Sequence, residues 1–163
     1  MQRDVQNTRK YEMLNDKTIL ITGGTGSFGK RCVQIILNDF KPKKLIIFSR
    51  DELKQFEMSQ RWSMKKYPCI RYFLGDVRDR ARLTRAFYDV DYIIHMAAET
   101  HVDRSIEDSK PFVYSNVVGT MNMLDFARKC DDLKAFVYFS TDEVFGPAPK
   151  GVDYGEWDRY NCT

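Results

Sequence analysis

A chain of 163 residues, 43% hydrophobic and 30% charged, is long enough for one domain with a sizeable core and has a globular composition. No apolar run reaches bilayer-spanning length, and Met1 to Lys10 is polar without an apolar stretch, so neither a membrane span nor a secretory signal is read there. Net charge is only +3, and the basic group Arg78, Arg80, Arg82 and Arg85 is interleaved or flanked by Asp76, Asp79, Asp89 and Asp91, which suits a solvated helix face and not a nucleic-acid partner.

Residues 1–14 read as an appended arm, and 15–163 as one domain. Lys17 to Thr22 is a short, β-branched run ending at glycines, the pattern of a parallel strand buried on both faces. Phe28 to Leu37 carries Phe28, Cys32, Ile35 and Ile36 at helical spacing. Lys44 to Ser49 is a second strand, and Asp51 to Lys66 a helix with Asp51 and Glu52 suited to its positive end. Cys69 to Leu74 is the third strand, Arg80 to Tyr88 a helix, and Asp91 to Met96 the fourth strand. Lys110 to Arg128 is a long helix opening with Pro111 in its first turn, and Ala135 to Ser140 the fifth strand. From Thr141 on, Gly146, Pro147, Pro149, Gly151 and Gly155 predict a loop. Strands alternating with helices predict a Rossmann-like, doubly wound parallel sheet, cut off after about five strands. Cys32, Cys69, Cys130 and Cys162 form no CxxC pair. Neither a metal site nor a disulfide framework is expected, and reduced thiols fit a cytoplasmic protein.

Four motifs can carry chemistry. In Thr22-Gly-Gly-Thr-Gly-Ser-Phe-Gly29, the glycines at 23, 26 and 29 lie between a strand and a helix. There a tight turn, a close approach of pyrophosphate to backbone, and close helix packing each call for glycine. Thr25, Ser27 and Phe28 complete that loop. Twenty residues after Gly29, where an acid would hold an adenosine ribose, stand Ser49 and Arg50. A hydroxyl and a guanidinium suit a 2′-phosphate, so NADP is expected ahead of NAD. Asp51 reads rather as a helix-terminus acid. Asp76 and Val77, after strand three, form a turn that can also face an adenine. Ser140-Thr141-Asp142-Glu143 ends strand five, where ligands of open α/β sheets bind. Adjacent carboxyl groups there can divide acid and base roles, or simply face water.

Taken together, these motifs resemble the extended short-chain dehydrogenase/reductases acting on nucleotide sugars, from about Met13 onward. The stretch Met13 to Gly29, with Ser49 to Lys54 and Gly75-Asp76-Val77, looks like the NADP-using UDP-N-acetylglucosamine 4,6-dehydratases. His95 to Ile106, Asn116 to Thr120 and Ser140 to Val144 are similar to the dTDP-glucose type. The resemblance implies that Thr141 hydrogen-bonds the sugar near C4, Asp142 protonates the departing 6-hydroxyl and Glu143 removes the C5 proton. It places Ala97, Ala98 and Ser140 with the cofactor, Thr100 near the substrate, and Asn116 behind the active site. His101 is a possible supporting hydrogen-bonding group, whereas His95 reads as part of a buried strand. The Tyr-x-x-x-Lys pair of such enzymes is not found, so the chain is expected to be an inactive N-terminal fragment of a protein that is homo-oligomeric at full length. A fragment of a nucleotide-sugar epimerase or reductase, and a non-catalytic dinucleotide-binding module, are the competing readings.

Overall fold

β-branched and leucine-rich runs bury both faces of a parallel sheet because each strand alternates its side chains between two helical layers. The computed structural model describes residues 12–86 and 89–160. Its strands are β1 (Thr18–Thr22), β2 (Lys44–Ser49), β3 (Ile70–Leu74), β4 (Tyr92–His95) and β5 (Ala135–Tyr138), all parallel, in the order β3-β2-β1-β4-β5. The expected Rossmann-like fold is therefore the observed one. Most of the expected arm, the end of the helix drawn to Tyr88, and Cys162 lie outside the described residues.

The alternation is visible in the core. Ile19, Ile21, Leu45 and Ile47 point to one side and pack with Val33 and Ile36 of α1 (Ser27–Asp39) and Met58 of α2 (Glu52–Arg61). Leu20, Ile46, Phe48 and Ile93 point to the other and pack with Leu83 of α3 (Arg80–Ala86) and with Met123 and Phe126. Each such aliphatic side chain, fully buried, contributes about 1.5–3 kcal/mol before entropy is counted. Leu14 also packs into the first cluster, so the core reaches into the stretch assigned to the arm.

The region after β4 differs from expectation in two ways. A short helix, α4 (Val102–Glu107), precedes the long one; none of its residues is buried, and its i,i+4 apolar pair, Val102 and Ile106, stands exposed. The long helix begins as α5 (Lys110–Phe112) with Pro111 in its first turn, widens into a π-helical segment over Val113–Val118, and resumes as α6 (Gly119–Ala127). Gly119 lets this helix approach the turn after β3, because a Cβ there would stand 2.7 Å from Val77 Cγ2. The end of β5 runs into a 3₁₀ turn, Asp142–Phe145, inside the expected loop.

Candidate functional site

At the carboxyl ends of β1, β2 and β4 lies a cleft of about 440 Å³, a volume typical of small-molecule sites. Its floor is the turn between β1 and α1. Gly23 adopts φ +69°, and a Cβ on it would stand 2.7 Å from the Met96 carbonyl. A Cβ on Gly29 would meet the Gly23 carbonyl oxygen at 2.6 Å, so that glycine is what brings α1 against the turn. Gly26 differs. A Cβ there finds only the Gly23 oxygen at 3.4 Å, and the space beyond is the cleft itself. Gly26 is also the N-cap of α1; no side chain caps this end and its first turn carries no acid. Backbone N–H groups and the positive end of a 13-residue helix thus face the cleft, an arrangement suited to phosphate.

Beneath the turn a buried polar network ties three elements together. Thr22 Oγ1 accepts from the N–H groups of Met96 and Ala97, each at 3.2 Å, and stands 2.6 Å from His95 Nδ1. With both acceptor positions taken, the Thr22 hydroxyl hydrogen goes to Nδ1. His95 then carries its proton on Nε2 and donates to Thr120 Oγ1 at 3.1 Å. Burial pulls the His95 pKa down to about 4, which keeps the ring neutral. His95 is thus a buried strand residue and not a cleft residue.

The side walls carry charge. Ser49 Oγ pairs with Thr25 Oγ1 at 3.0 Å and accepts from the Asp51 N–H, so this hydroxyl braces the β2 end against the glycine turn. Asp51 accepts from the Lys54 N–H at 2.9 Å as the N-cap of α2, the helix-terminus role. Buried Gln55 donates to the Ser49 and Phe73 carbonyls and fixes β2 beside β3 at this end. Arg50 pairs with Glu99, and Asp76 with Arg78 at 2.7 Å. Burial pushes the Asp76 carboxyl up, but hydrogen bonds from Arg78 and its charge outweigh burial and hold it below the ordinary value. Asn122 donates to the Val77 and Arg78 carbonyls, both at 3.1 Å, fixing that turn.

Gly23, Thr25, Gly26, Ser27, Phe28, Gly29, Ser49, Arg50, Asp76, Val77, Ala97, Ala98 and Thr100 all line this one cleft. Asn116 does not. From the π-helical segment its side chain accepts from the Glu99 N–H at 2.8 Å and donates to the Glu99 carbonyl at 2.9 Å, clamping the loop after β4. Ser140, Thr141, Asp142 and Glu143 also lie off the lining. They follow β5 next to it: the Phe139 ring packs on cleft residue Phe28 with centroids 5.0 Å apart. Thr141 caps the 3₁₀ turn, accepting from the Glu143 N–H and donating to Asp142 Oδ1 at 3.2 Å. His101 is exposed. Glu99 and Lys54 line the cleft as well, and no motif in the sequence marks them. Lys54 stands at i+4 from Arg50, on the first turn of α2, whereas Glu99 sits in a loop with no periodicity to mark it.

A family model described as "Polysaccharide biosynthesis protein" matches residues 19–150. The chain is 47% identical over 135 residues to a UDP-N-acetylglucosamine 4,6-dehydratase (inverting) of Campylobacter jejuni, covering 83% of this chain and 39% of the relative. It is 37% identical over 140 residues to a UDP-glucose 4-epimerase of Rickettsia canadensis, covering 83% and 39%. Among solved structures, it is similar to a dTDP-glucose 4,6-dehydratase of Streptomyces venezuelae with NAD and DAU bound. There the TM-score is 0.68 and the identity 30%, with 85% of this chain and 42% of that one covered. The chain spans about two fifths of the length of these relatives.

Proposed function

The chain belongs to the polysaccharide biosynthesis protein family, and from that premise we propose that it is the dinucleotide-binding part of a nucleotide-sugar 4,6-dehydratase. The observation that carries the proposal is the glycine turn opening on the cleft. Only at Gly26 would a side chain fill ligand space, while Gly23 and Gly29 are required by the wall itself. A nicotinamide dinucleotide fits these residues: its pyrophosphate on Gly23 to Gly29 and the N-terminus of α1, its adenosine toward Asp76 and Val77, and its far end toward Ala97 and Ala98. When bound, it supplies reversible hydride storage.

NADP is the cofactor we favour. No free acid stands at the end of β2, Asp51 being engaged as a cap, and the cations Arg50 and Lys54 both line the cleft. The sugar diphosphate lies beyond Thr100. Asp142 protonates the departing 6-hydroxyl, Glu143 takes the C5 proton, and Thr141 holds the sugar near C4. The adjacent carboxylates argue for elimination over the epimerase reading, which needs no such pair. The site residues that line no part of the cleft enter through the Phe28–Phe139 contact, which sets the β5 end against its wall. The reaction is assigned to the cytoplasm, consistent with Cys32, Cys69 and Cys130 standing as free thiols. Among the described residues no helix is long and apolar enough to cross a membrane. A homo-oligomer is proposed as well, supported by the exposed stripe Val113, Val117, Met121 and Leu124 on the long helix.

The test is a titration of the intact protein with NADP and NAD, followed by incubation with UDP-N-acetylglucosamine or dTDP-glucose. Expected are tighter binding of NADP and appearance of a 4-keto-6-deoxy sugar. Asp142→Asn should stall elimination, and Glu143→Gln should block exchange of the C5 proton with solvent. Normal turnover in both variants would remove the two carboxylates from the mechanism.

A further inference from the structure

The strand order puts β2 and β4 on opposite sides of β1. Arg50 directly follows β2, and Glu99 lies four residues beyond β4. Their ion pair therefore runs from one wall of the cleft to the other, across the carboxyl end of β1 where the glycine turn begins. The backbone of Glu99 is fixed on both sides of its peptide by Asn116. What can move is the side chain. The Arg50 side chain is 51% exposed and that of Glu99 23%, so both are open to exchange of partner. Lys54 pairs with Asp51 at 3.1 Å, so the two cations lining the cleft, Arg50 and Lys54, are each already matched by a carboxylate.

We propose that Glu99 is a specificity-determining residue: a latch whose carboxylate occupies Arg50 in the empty cleft and gives way to a ligand phosphate. This rests on the reading of Arg50 as a phosphate ligand of the cofactor. A carboxylate and a phosphate monoester offer a guanidinium the same bidentate partner, so they compete for it. Small phosphate esters that engage Arg50 alone must displace Glu99 and then sit beside its charge. A dinucleotide offsets that cost with the contacts of its pyrophosphate over the glycine turn. The latch thus lowers the affinity of every ligand with a phosphate on Arg50 by the same factor, a threshold that weak phosphate esters fail and a dinucleotide passes.

Glu99→Gln keeps the size and hydrogen-bonding capacity of the side chain and removes the charge. The experiment titrates the intact protein with NADP, NAD and 2′,5′-ADP by calorimetry, in wild type, Glu99→Gln, Arg50→Gln and the double variant. Surface ion pairs are worth little, so the effect is modest. Glu99→Gln is expected to tighten 2′,5′-ADP and NADP alike by roughly three- to tenfold, and NAD by less than about twofold. The gain should vanish in the double variant and shrink at high salt. If Glu99→Gln weakens 2′,5′-ADP or leaves it unchanged while Arg50→Gln still loses selectivity for NADP over NAD, the latch is wrong and the reading of Arg50 survives. If Arg50→Gln loses no selectivity, that reading fails and the latch with it.

Discussion

The two ends of the site are held in different ways. At the glycine turn, the cleft is shaped by backbone against backbone. A Cβ at Gly23 or Gly29 would stand 2.6–2.7 Å from backbone atoms, and the Thr22–His95–Thr120 network lies buried beneath. At the end of β5, Thr141, Asp142 and Glu143 are exposed on a 3₁₀ turn held by one hydroxyl, by Phe28 on Phe139 and by Phe145 stacked on Tyr154 at 5.3 Å. The floor of the cleft is thus fixed by backbone packing that no side chain can adjust. The groups proposed for chemistry ride on a few weak contacts.

The strongest way to break the buried end is acid. His95 has its folded pKa at about 4, against an ordinary value of 6.5, because burial disfavours the imidazolium. Between those values the unfolded chain binds a proton that the native chain does not. Stability is therefore complete above about pH 6.5 and falls toward pH 4, by up to roughly 3 kcal/mol. Urea unfolding from pH 4.5 to 7.5 should show this slope, and His95→Gln should flatten it in that window. Because His95 also stacks on Tyr138 with centroids 5.5 Å apart, the loss should reach β5.

Two glycine substitutions sharpen the same comparison. Gly29→Ala drives a Cβ into backbone and should cost about 2 kcal/mol in thermal unfolding. Gly26→Val meets open space and should leave stability within about 1 kcal/mol, yet abolish cofactor binding in a titration. Undiminished binding in Gly26→Val would remove the pyrophosphate from the turn. Next in size, Asn116→Ala leaves the Glu99 N–H and carbonyl without their partner. It should cost about 1–2 kcal/mol, and hydrogen exchange should accelerate over residues 97–100. The smallest effect belongs to the rim. Arg78→Gln should shift stability by less than about 1 kcal/mol, while NMR titration of Asp76 should move upward as its guanidinium partner is lost.

Much of the architecture was legible in the sequence, because apolar runs of strand length between glycine-bounded helices leave few other foldings. Lys44–Ser49 was drawn with its observed bounds. Asp91 to Met96 extends one residue beyond the observed strand at each end, although the Asp91 N–H still donates to the Thr18 carbonyl and the Met96 N–H to the Thr22 carbonyl. Helix α4 was not legible, because six residues with a single i,i+4 apolar pair, Val102 and Ile106, are too few to show a period. The π-helical widening at Val113–Val118 left no mark either; its signature is the reach of Asn116 to Glu99, a contact 17 residues apart.

The sequence by itself determined the alternation of elements, the glycine spacing and the identity of the residues available for binding, since each follows from local sterics and periodicity. Only the tertiary structure decided which of those residues face the ligand space. Ser49 lines the cleft yet is engaged in bracing the glycine turn through Thr25, whereas Asn116 lies off the lining and clamps Glu99. Glu99 meets Arg50 because parallel crossovers set β4 and β2 on either side of β1, a proximity that exists in no stretch of the chain shorter than 49 residues.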